Sequence, residues 1–222
     1  GGDFYCDYNQ LTTLTGCPES VGGGFYCSDN QLNTLEGSPE SVGGHFSCYN
    51  NQLTTLEGSP QEVGGHFSCD NNQLTTLTGS PREVGGDFNC SLNQLTTLTG
   101  GPQEVGGSFY CRENQLTTLV GIRPYIKGDL SCQDNPLESL EGLDGLDGGL
   151  NLNRTPLEVL WKVVLKEDKK FLDYLYTQEW NNVFPAPKTI YEDYFLEGIE
   201  EQKINIPTNW REILENDDWK II

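Results

Sequence analysis

The sequence predicts an α/β repeat solenoid followed by a short helical segment, and three observations support this fold class. Seven cysteines recur at a spacing of 21 residues, at Cys6, Cys27, Cys48, Cys69, Cys90, Cys111 and Cys132. The neighbouring residues recur with them, in the order F-x-C-x-x-N-Q-L-T-T-L-x-G-x-P-x-x-V-G-G. Beyond residue 156 this pattern ends and apolar residues fall at helical spacing. Because strict self-similarity at a fixed period indicates stacked units, we expect about eight coils over residues 1–156.

Each repeat is predicted to contain one short strand and an irregular return. In F-x-C, the Phe and Cys point to the interior and their polar neighbours point outward. The Asn three residues after each Cys is expected to be buried, with its amide bonded to the backbone as one rung of a ladder. The two leucines turn inward, G-x-P turns the chain, and the Val turns inward before Gly-Gly leads to the next strand.

This repeat resembles the leucine-rich repeat, whose core is L-x-L-x-x-N-x-L. Here F-x-C-x-x-N-x-L stands in its place, over residues 1 to about 157. The short unit is similar to the repeats of bacterial secreted effectors and to those of phage and bacterial repeat proteins. The resemblance implies a horseshoe with a parallel sheet on its concave side and an extended convex side. It implies no enzyme activity.

Residues 157–222 are predicted to form a small α-helical cap that seals the open end of the solenoid. Asn209 is expected to cap the last helix. The apolar positions at helical spacing are Leu157, Leu160, Trp161, Val164 and Leu165, then Phe171, Leu172, Leu175 and Tyr176, then Ile190, Tyr194, Phe195 and Ile199, and finally Trp210, Ile213 and Leu214. An interaction role for part of this aromatic-rich segment stays open. Because the chain lacks methionine and begins in mid-repeat, we expect it to be truncated at its N-terminus.

The charge of the chain favours some classes of partner over others. Thirteen Lys and Arg residues face 33 Asp and Glu residues, for a net charge of −20. Such a surface repels phosphate backbones and anionic membranes, so we expect neither direct nucleic-acid binding nor membrane binding. A protein partner with a basic surface, or mimicry of a nucleic acid, fits this charge.

The cysteines are predicted to be reduced core residues. Disulfide frameworks join elements at uneven spacings, whereas these seven cysteines fall in one inward column with parallel side chains. Cys17 lies outside the column, in a loop. Free thiols in this number suggest a reducing compartment, and we expect a cytoplasmic location, in the host cytoplasm if a phage encodes the chain.

The outward positions of the concave face vary between repeats while the frame does not. Tyrosine, aspartate, asparagine and serine dominate there, a composition that supplies contact area and adaptable hydrogen bonds. A merely solvated sheet is the alternative interpretation. The candidate partner-binding residues are Asp3, Tyr5, Asp7, Tyr8, Tyr26, Asp29, His45, Tyr49, His66, Asp70, Asp87, Tyr110, Arg112 and Glu113.

No catalytic, cofactor or metal site is predicted. His45 and His66 fall on neighbouring strands with Asp87 next in line, a set that could hold a divalent metal. Duplication of one repeat explains the same pair, so we predict no metal. The sequence has no phosphate loop, zinc motif or nucleophile elbow, and no Cys after Cys132 for the cysteine-dependent ubiquitin ligase domain of similar effectors.

We therefore expect a non-enzymatic protein–protein interaction module of phage or bacterial origin. It would bind and occlude a host protein, such as a defence factor, through its acidic, tyrosine-bearing concave face. The alternatives are a nucleic-acid mimic that blocks a nucleic-acid-binding protein, and a virion structural component.

Overall fold

The repeats coil into a parallel β-solenoid of about seven turns. The computed structural model describes residues 1–122, 126–143, 146–163, 189–190, 192–201, 204 and 206–222. Each of the first five coils contributes one two-residue strand to each of two parallel sheets. Sheet 1 is eight-stranded and has the order β1-β3-β5-β7-β9-β11-β12-β13. Its strands are Phe4–Tyr5, Phe25–Tyr26, Phe46–Ser47, Phe67–Ser68, Phe88–Asn89, Phe109–Tyr110, Leu130–Ser131 and Leu150–Asn151.

The register of sheet 1 is one whole repeat at almost every step. Phe4 pairs with Phe25, Phe25 with Phe46, and so on to the pair of Leu130 and Leu150. Consecutive Phe rings lie inside the coil with centroids 5.1–5.5 Å apart, stacked in four pairs and tilted by 33° in the pair of Phe88 and Phe109. This stacking forms a continuous aromatic column, which stabilises each coil against the next.

Sheet 2 lies on the return side of each coil, where the sequence predicts only an extended wall. Its valines are buried while the residue before each valine is largely exposed. The sheet continues beyond β10 through single bridges from Val105 to Ile126 and from Ile126 to Leu146. Its five strands, β2, β4, β6, β8 and β10, are Ser20–Val21, Ser41–Val42, Glu62–Val63, Glu83–Val84 and Glu104–Val105.

The core of the solenoid consists of the five apolar positions of the repeat. From the second coil onward, the Phe and Cys columns and both leucine columns are 0–3 % exposed through residue 140. The predicted inward direction of these side chains is therefore confirmed. All eight cysteines are free, and the thiols of Cys48, Cys69, Cys90 and Cys111 lie 3.3–3.4 Å from a carbonyl oxygen of the next coil.

The predicted asparagine ladder is present and links each coil to the one before it. Asn93 is a typical rung. Its Nδ2 donates to the carbonyl oxygens of Cys69 (3.1 Å), Cys90 (3.1 Å) and Ser91 (3.0 Å). Its Oδ1 accepts the N–H of Leu74 at 3.0 Å. In the last coil, Thr155 occupies this position and donates to the Leu152 carbonyl at 2.7 Å.

Two turns of each coil have left-handed backbone conformation. The Gly that follows the second leucine has φ between 86° and 97°, and a Cβ at Gly79 would lie 2.3 Å from the Glu57 nitrogen. The residue two after each Cys has φ between 52° and 55°, whatever its type. The residues at this position are Tyr8, Asp29, Asn50, Asn71, Leu92, Glu113 and Asp134.

The segment after residue 156 contains three helices in its described part, α1 Glu158–Val163, α2 Glu192–Glu201 and α3 Trp210–Glu215. Leu157 and Leu160 are fully buried and continue the core of the solenoid. Helix α1 packs against α3. The predicted helix of residues 171–176 lies outside the described residues, as do Val164 and Leu165.

Two predictions for this segment are wrong. Ile190 lies in a strand, β14 Thr189–Ile190, which pairs in parallel with β15 Lys220–Ile221. A helical pattern cannot reveal this pairing because the partner strand lies far along the chain. Asn209 occupies the N-cap position of α3 but its side chain makes no capping hydrogen bond. No helix in the described part of the chain has the length and apolar character of a membrane span.

Candidate functional site

The outward side chains of sheet 1 fall into columns with different structural roles. Only the residues between Phe and Cys lie within the two-residue strands and face outward from them. The column two residues after each Cys was also predicted to lie on the strands, and that placement is wrong because the chain has already turned into left-handed conformation there. These residues, which include Tyr8, Asp29 and Glu113, project from a turn at the edge of the sheet.

The column before each Phe binds backbone of the neighbouring coil. Most of its side chains accept a hydrogen bond from the backbone N–H of the residue at the same position in the next repeat. These bonds satisfy N–H groups next to the strands of sheet 1. Four of the acceptors, Asp3, His45, His66 and Asp87, are residues predicted to bind a partner. The bonds are Gly24 N–H to Asp3 (2.7 Å), His66 N–H to His45 (2.9 Å), Asp87 N–H to His66 (2.8 Å), Ser108 N–H to Asp87 (2.8 Å), Asp129 N–H to Ser108 (3.0 Å) and Gly149 N–H to Asp129 (2.7 Å).

The two histidines act as hydrogen-bond acceptors for the backbone in this geometry. Their rings stack with centroids 4.6 Å apart and 6° between planes. Each Nδ1 accepts a backbone N–H, which assigns the ring proton to Nε2. His66 Nδ1 also lies 3.4 Å from Asp87 Oδ2, but an ion pair there would require a proton on an atom that already accepts one. Within the described residues, no three His, Cys, Asp or Glu side chains converge as a metal site requires.

Eight of the predicted site residues lie together over the first four coils and form what we call the acidic tyrosine patch. Tyr5 and Tyr26 stack with ring centroids 4.8 Å apart. The hydroxyls of Tyr8 and Tyr49 lie 3.4 Å apart although the two residues are two coils distant. The patch consists of Asp3, Tyr5, Asp7, Tyr8, Tyr26, Asp29, Tyr49 and Asp70.

Hydrogen bonds in this patch favour the ionised form of Asp3 and the protonated forms of Tyr5 and Tyr49. The N–H of Gly24 and the hydroxyl of Tyr5 both donate to Asp3, and they lower the pKa of its carboxyl group. The same bond to the Asp3 carboxylate raises the pKa of Tyr5. The hydroxyl of Tyr8, together with burial, raises the pKa of Tyr49. These three groups therefore present one carboxylate and two phenol O–H groups at neutral pH.

A groove, which we call the C-terminal groove, lies over coils five to eight and has a volume of about 880 Å³. Two outward residues from each coil line it, and Glu158 of α1 lies at its end. Tyr110 and Arg112 of the predicted set belong to this groove, which the patch does not include. The paired residues are Asn89 and Ser91, Tyr110 and Arg112, Ser131 and Gln133, and Asn151 and Asn153.

Most of these groove residues were not predicted as site residues. The one property of the sequence that could have indicated them is a polar side chain at an outward position, as at Asn89, Ser131 and Gln133. Two serines that follow a Cys, Ser28 and Ser91, are buried although this position was predicted to face solvent. They are 2 % and 1 % exposed. The Ser28 hydroxyl lies 2.8 Å from that of Ser47. The Ser91 hydroxyl has no hydrogen-bond partner among the residues that the structure describes.

Comparison with known proteins identified no significant relative of this chain. No model of a protein family matches the chain, and no curated protein or solved structure matches it significantly.

Proposed function

We propose that this chain is a non-enzymatic interaction protein that binds a partner with a basic surface through the acidic tyrosine patch. One observation carries the proposal. The variable positions of successive repeats place four tyrosines and four aspartates on one face, while the repeat frame beneath them is constant. The Phe, Cys, Asn and Leu columns hold the coils together, and among the described residues only Asp3 of the eight patch residues has a side chain that bonds the backbone of the next coil.

The electrostatics of the patch support a cationic partner. Asp7, Asp29 and Asp70 form no ion pair with any described Lys or Arg. Their charges therefore remain available to a Lys or Arg of a partner, which would also bind over the neighbouring tyrosine rings. The stacked and bonded tyrosines are held in place before binding, which reduces the entropy lost when the complex forms.

The finer architecture that we propose is a leucine-rich-repeat horseshoe with sheet 1 on its concave side and a helical cap. The repeat pattern supports the first part, and the burial of Leu157 and Leu160 at the last coil supports the second. We base the further proposal of a host target that the chain occludes, such as a defence protein, on the resemblance of the repeat motif to phage repeats alone. Small-angle X-ray scattering tests the curvature of the horseshoe, because a straight solenoid of the same length gives a different distribution of interatomic distances.

The test of partner binding compares three forms of the chain. Wild type, a patch variant and a control variant are used to capture proteins from a host lysate, and each captured protein is then titrated in purified form. The patch variant replaces the four tyrosines of the patch, Tyr5, Tyr8, Tyr26 and Tyr49, by alanine. The control replaces four exposed glutamines of the repeat by alanine, Gln52, Gln73, Gln94 and Gln115.

We expect a partner that binds wild type and the glutamine control with equal affinity and binds the patch variant at least about a hundredfold more weakly. Single substitutions should then show that one or two tyrosines dominate. Equal affinity of the tyrosine variant and the wild type would contradict the proposal.

Mimicry of a nucleic acid is the second candidate, and one observation favours it. Glu62, Glu83 and Glu104 are paired in register on adjacent strands of sheet 2. At the usual strand spacing of about 4.8 Å they form a row of carboxylates, and Arg82 contacts one of them, Glu83, at 3.0 Å. Under this candidate, replacing all three by glutamine abolishes salt-sensitive binding, whereas the tyrosine variant binds normally.

A further inference from the structure

We propose that the C-terminal groove is a carboxylate-binding site in which Arg112 pairs with the ligand. The site is separate from the acidic tyrosine patch and does not depend on the function proposed for it. Four sets of observations support it: an unpaired arginine, a buried hydroxyl without a partner, a surplus of donors, and a groove of suitable size.

Arg112 is the single Lys or Arg in the outward columns of the first seven coils. Although the chain has 33 acidic residues, none of those described lies within ion-pair distance of its guanidinium. By contrast, Arg154 pairs with Asp134 at 2.6 Å and Arg82 pairs with Glu83 at 3.0 Å. An exposed guanidinium in a groove can bind a carboxylate through two parallel hydrogen bonds.

Ser91 provides the second, independent observation. It lines the groove, it is 1 % exposed, and its hydroxyl lacks a hydrogen-bond partner among the described residues. The equivalent hydroxyl of Ser28 bonds Ser47, 19 residues further on. For Ser91 that position is Tyr110, which is too large to offer a hydroxyl at the same place. A buried hydroxyl without a partner is costly, and a ligand oxygen would satisfy it.

The donors and acceptors of the groove are out of balance. Four of its side-chain oxygens already accept a backbone N–H: Asn89 Oδ1 from Ser91 (3.1 Å), Asp129 Oδ1 from Gly149 (2.7 Å), Asn151 Oδ1 from Asn153 (3.1 Å) and Glu158 Oε2 from Arg154 (2.6 Å). The donors remain available, since the side-chain nitrogens of Arg112 and Gln133 and the hydroxyl of Ser91 donate to no described residue. Surplus donors match a ligand that only accepts, and a carboxylate is such a ligand.

The charge of the chain selects a carboxylate over a phosphate. One guanidinium balances one negative charge, whereas a dianionic phosphate would bring a second charge near Asp129 and Glu158. At physiological ionic strength the screening length is about 8 Å, so the more distant acids weaken binding little. The carboxylate has two possible sources, an acidic side chain of a polypeptide or a small free carboxylic acid.

The experiment titrates the 15N-labelled full chain with three probes at physiological salt and follows its backbone amide signals by NMR. The probes are acetyl-Gly-Glu-Gly-amide, its neutral counterpart acetyl-Gly-Gln-Gly-amide, and succinate. We expect shifts at Ser91, Arg112 and Gln133, saturating in the millimolar range, with both carboxylates and not with the glutamine peptide. Tighter binding of the peptide assigns a polypeptide source, and tighter binding of succinate assigns a small acid.

Variants test the roles of the two key residues. Arg112→Gln should weaken carboxylate binding at least about tenfold, and Arg112→Lys should lie between this variant and wild type because it keeps the charge but loses the planar fork. Ser91→Ala should weaken binding and also raise the melting temperature of the free protein. Arg82→Gln, on sheet 2, is the matched control and should leave affinity unchanged.

Two outcomes would overturn the proposal. One is binding of the glutamine peptide as tightly as the glutamate peptide. The other is unchanged carboxylate affinity in the Arg112→Gln variant when its spectrum shows a folded chain. Neither outcome bears on partner binding at the acidic tyrosine patch, which is measured with different variants.

Discussion

Replacing Asn93 by alanine removes four hydrogen bonds at the centre of the asparagine ladder. The carbonyl oxygens of Cys69 and Cys90 each keep a bond from another asparagine, Asn72 or Asn114. The N–H of Leu74, by contrast, loses its acceptor. Each lost bond contributes about 0.5–1.5 kcal/mol, and the buried Leu74 N–H that is left without an acceptor costs about 1–3 kcal/mol. We therefore expect the free energy of unfolding to fall by about 4 kcal/mol.

The matched control is Asn9→Ala in the first coil. Asn9 is exposed and donates to the carbonyl oxygens of Cys6 (3.1 Å) and Asp7 (2.9 Å), but no backbone N–H depends on it. We therefore expect a loss of about 1 kcal/mol for this variant. Urea unfolding followed by circular dichroism measures both losses, and hydrogen exchange should show faster exchange of the Leu74 amide in the Asn93 variant.

Equal losses for the two variants, within about 0.5 kcal/mol, would refute the reasoning, because they would mean that the stranded N–H has little cost. Asn93→Asp provides a second check. Its carboxylate keeps an acceptor for Leu74 but places negative oxygens against three carbonyl groups. At neutral pH it should be no more stable than the alanine variant.

Three further predictions concern backbone strain and the thiols. Leu92→Asn should raise the free energy of unfolding by about 0.5–1 kcal/mol, since Leu92 is held at φ 55° and asparagine adopts that conformation more readily; a lower melting temperature would contradict this. Gly79→Ala should cost more than about 2 kcal/mol, and clearly more than Gly16→Ala, because both have positive φ but a Cβ meets nothing within 4 Å at Gly16. Burial raises the pKa of Cys6 to about 11 and raises the pKa of Cys48 further, from an ordinary value of 9.0. The folded chain thus holds these protons more tightly, so stability should be complete below pH 9 and decline as the pH rises through 11. Melting curves measure this decline, and Cys48→Ala should make it shallower.

The periodic part of the fold could be predicted from the sequence because its determinants repeat with it. Phe25, Cys27 and Asn30 fall at the same offsets as their counterparts in every coil, so one physical interpretation of a repeat applies to all of them. Sheet 2 could not be predicted in this way. A two-residue strand such as Ser20–Val21 has no measurable alternation and is defined by backbone pairing with the next coil.

The candidate site was harder to predict than the fold, for two physical reasons. The left-handed turn is imposed by the coil and not by its occupant, since Leu92 adopts the same φ as Asn71. Outward positions are also not equally accessible. Ser28 and Ser91 are buried at the position where Arg112 is exposed, and such differences depend on which residues become neighbours after folding.

The uniform register of sheet 1 has a consequence for the history of such a chain. The regular coils bind their neighbours through the same atoms, so recombination between near-identical gene segments can add or remove a whole unit among them without creating a new junction. Each such event would lengthen or shorten the exposed surface by the spacing of one strand, about 4.8 Å. A lineage could therefore adjust the reach of its binding surface by copying units, while point substitutions at outward positions change what that surface recognises.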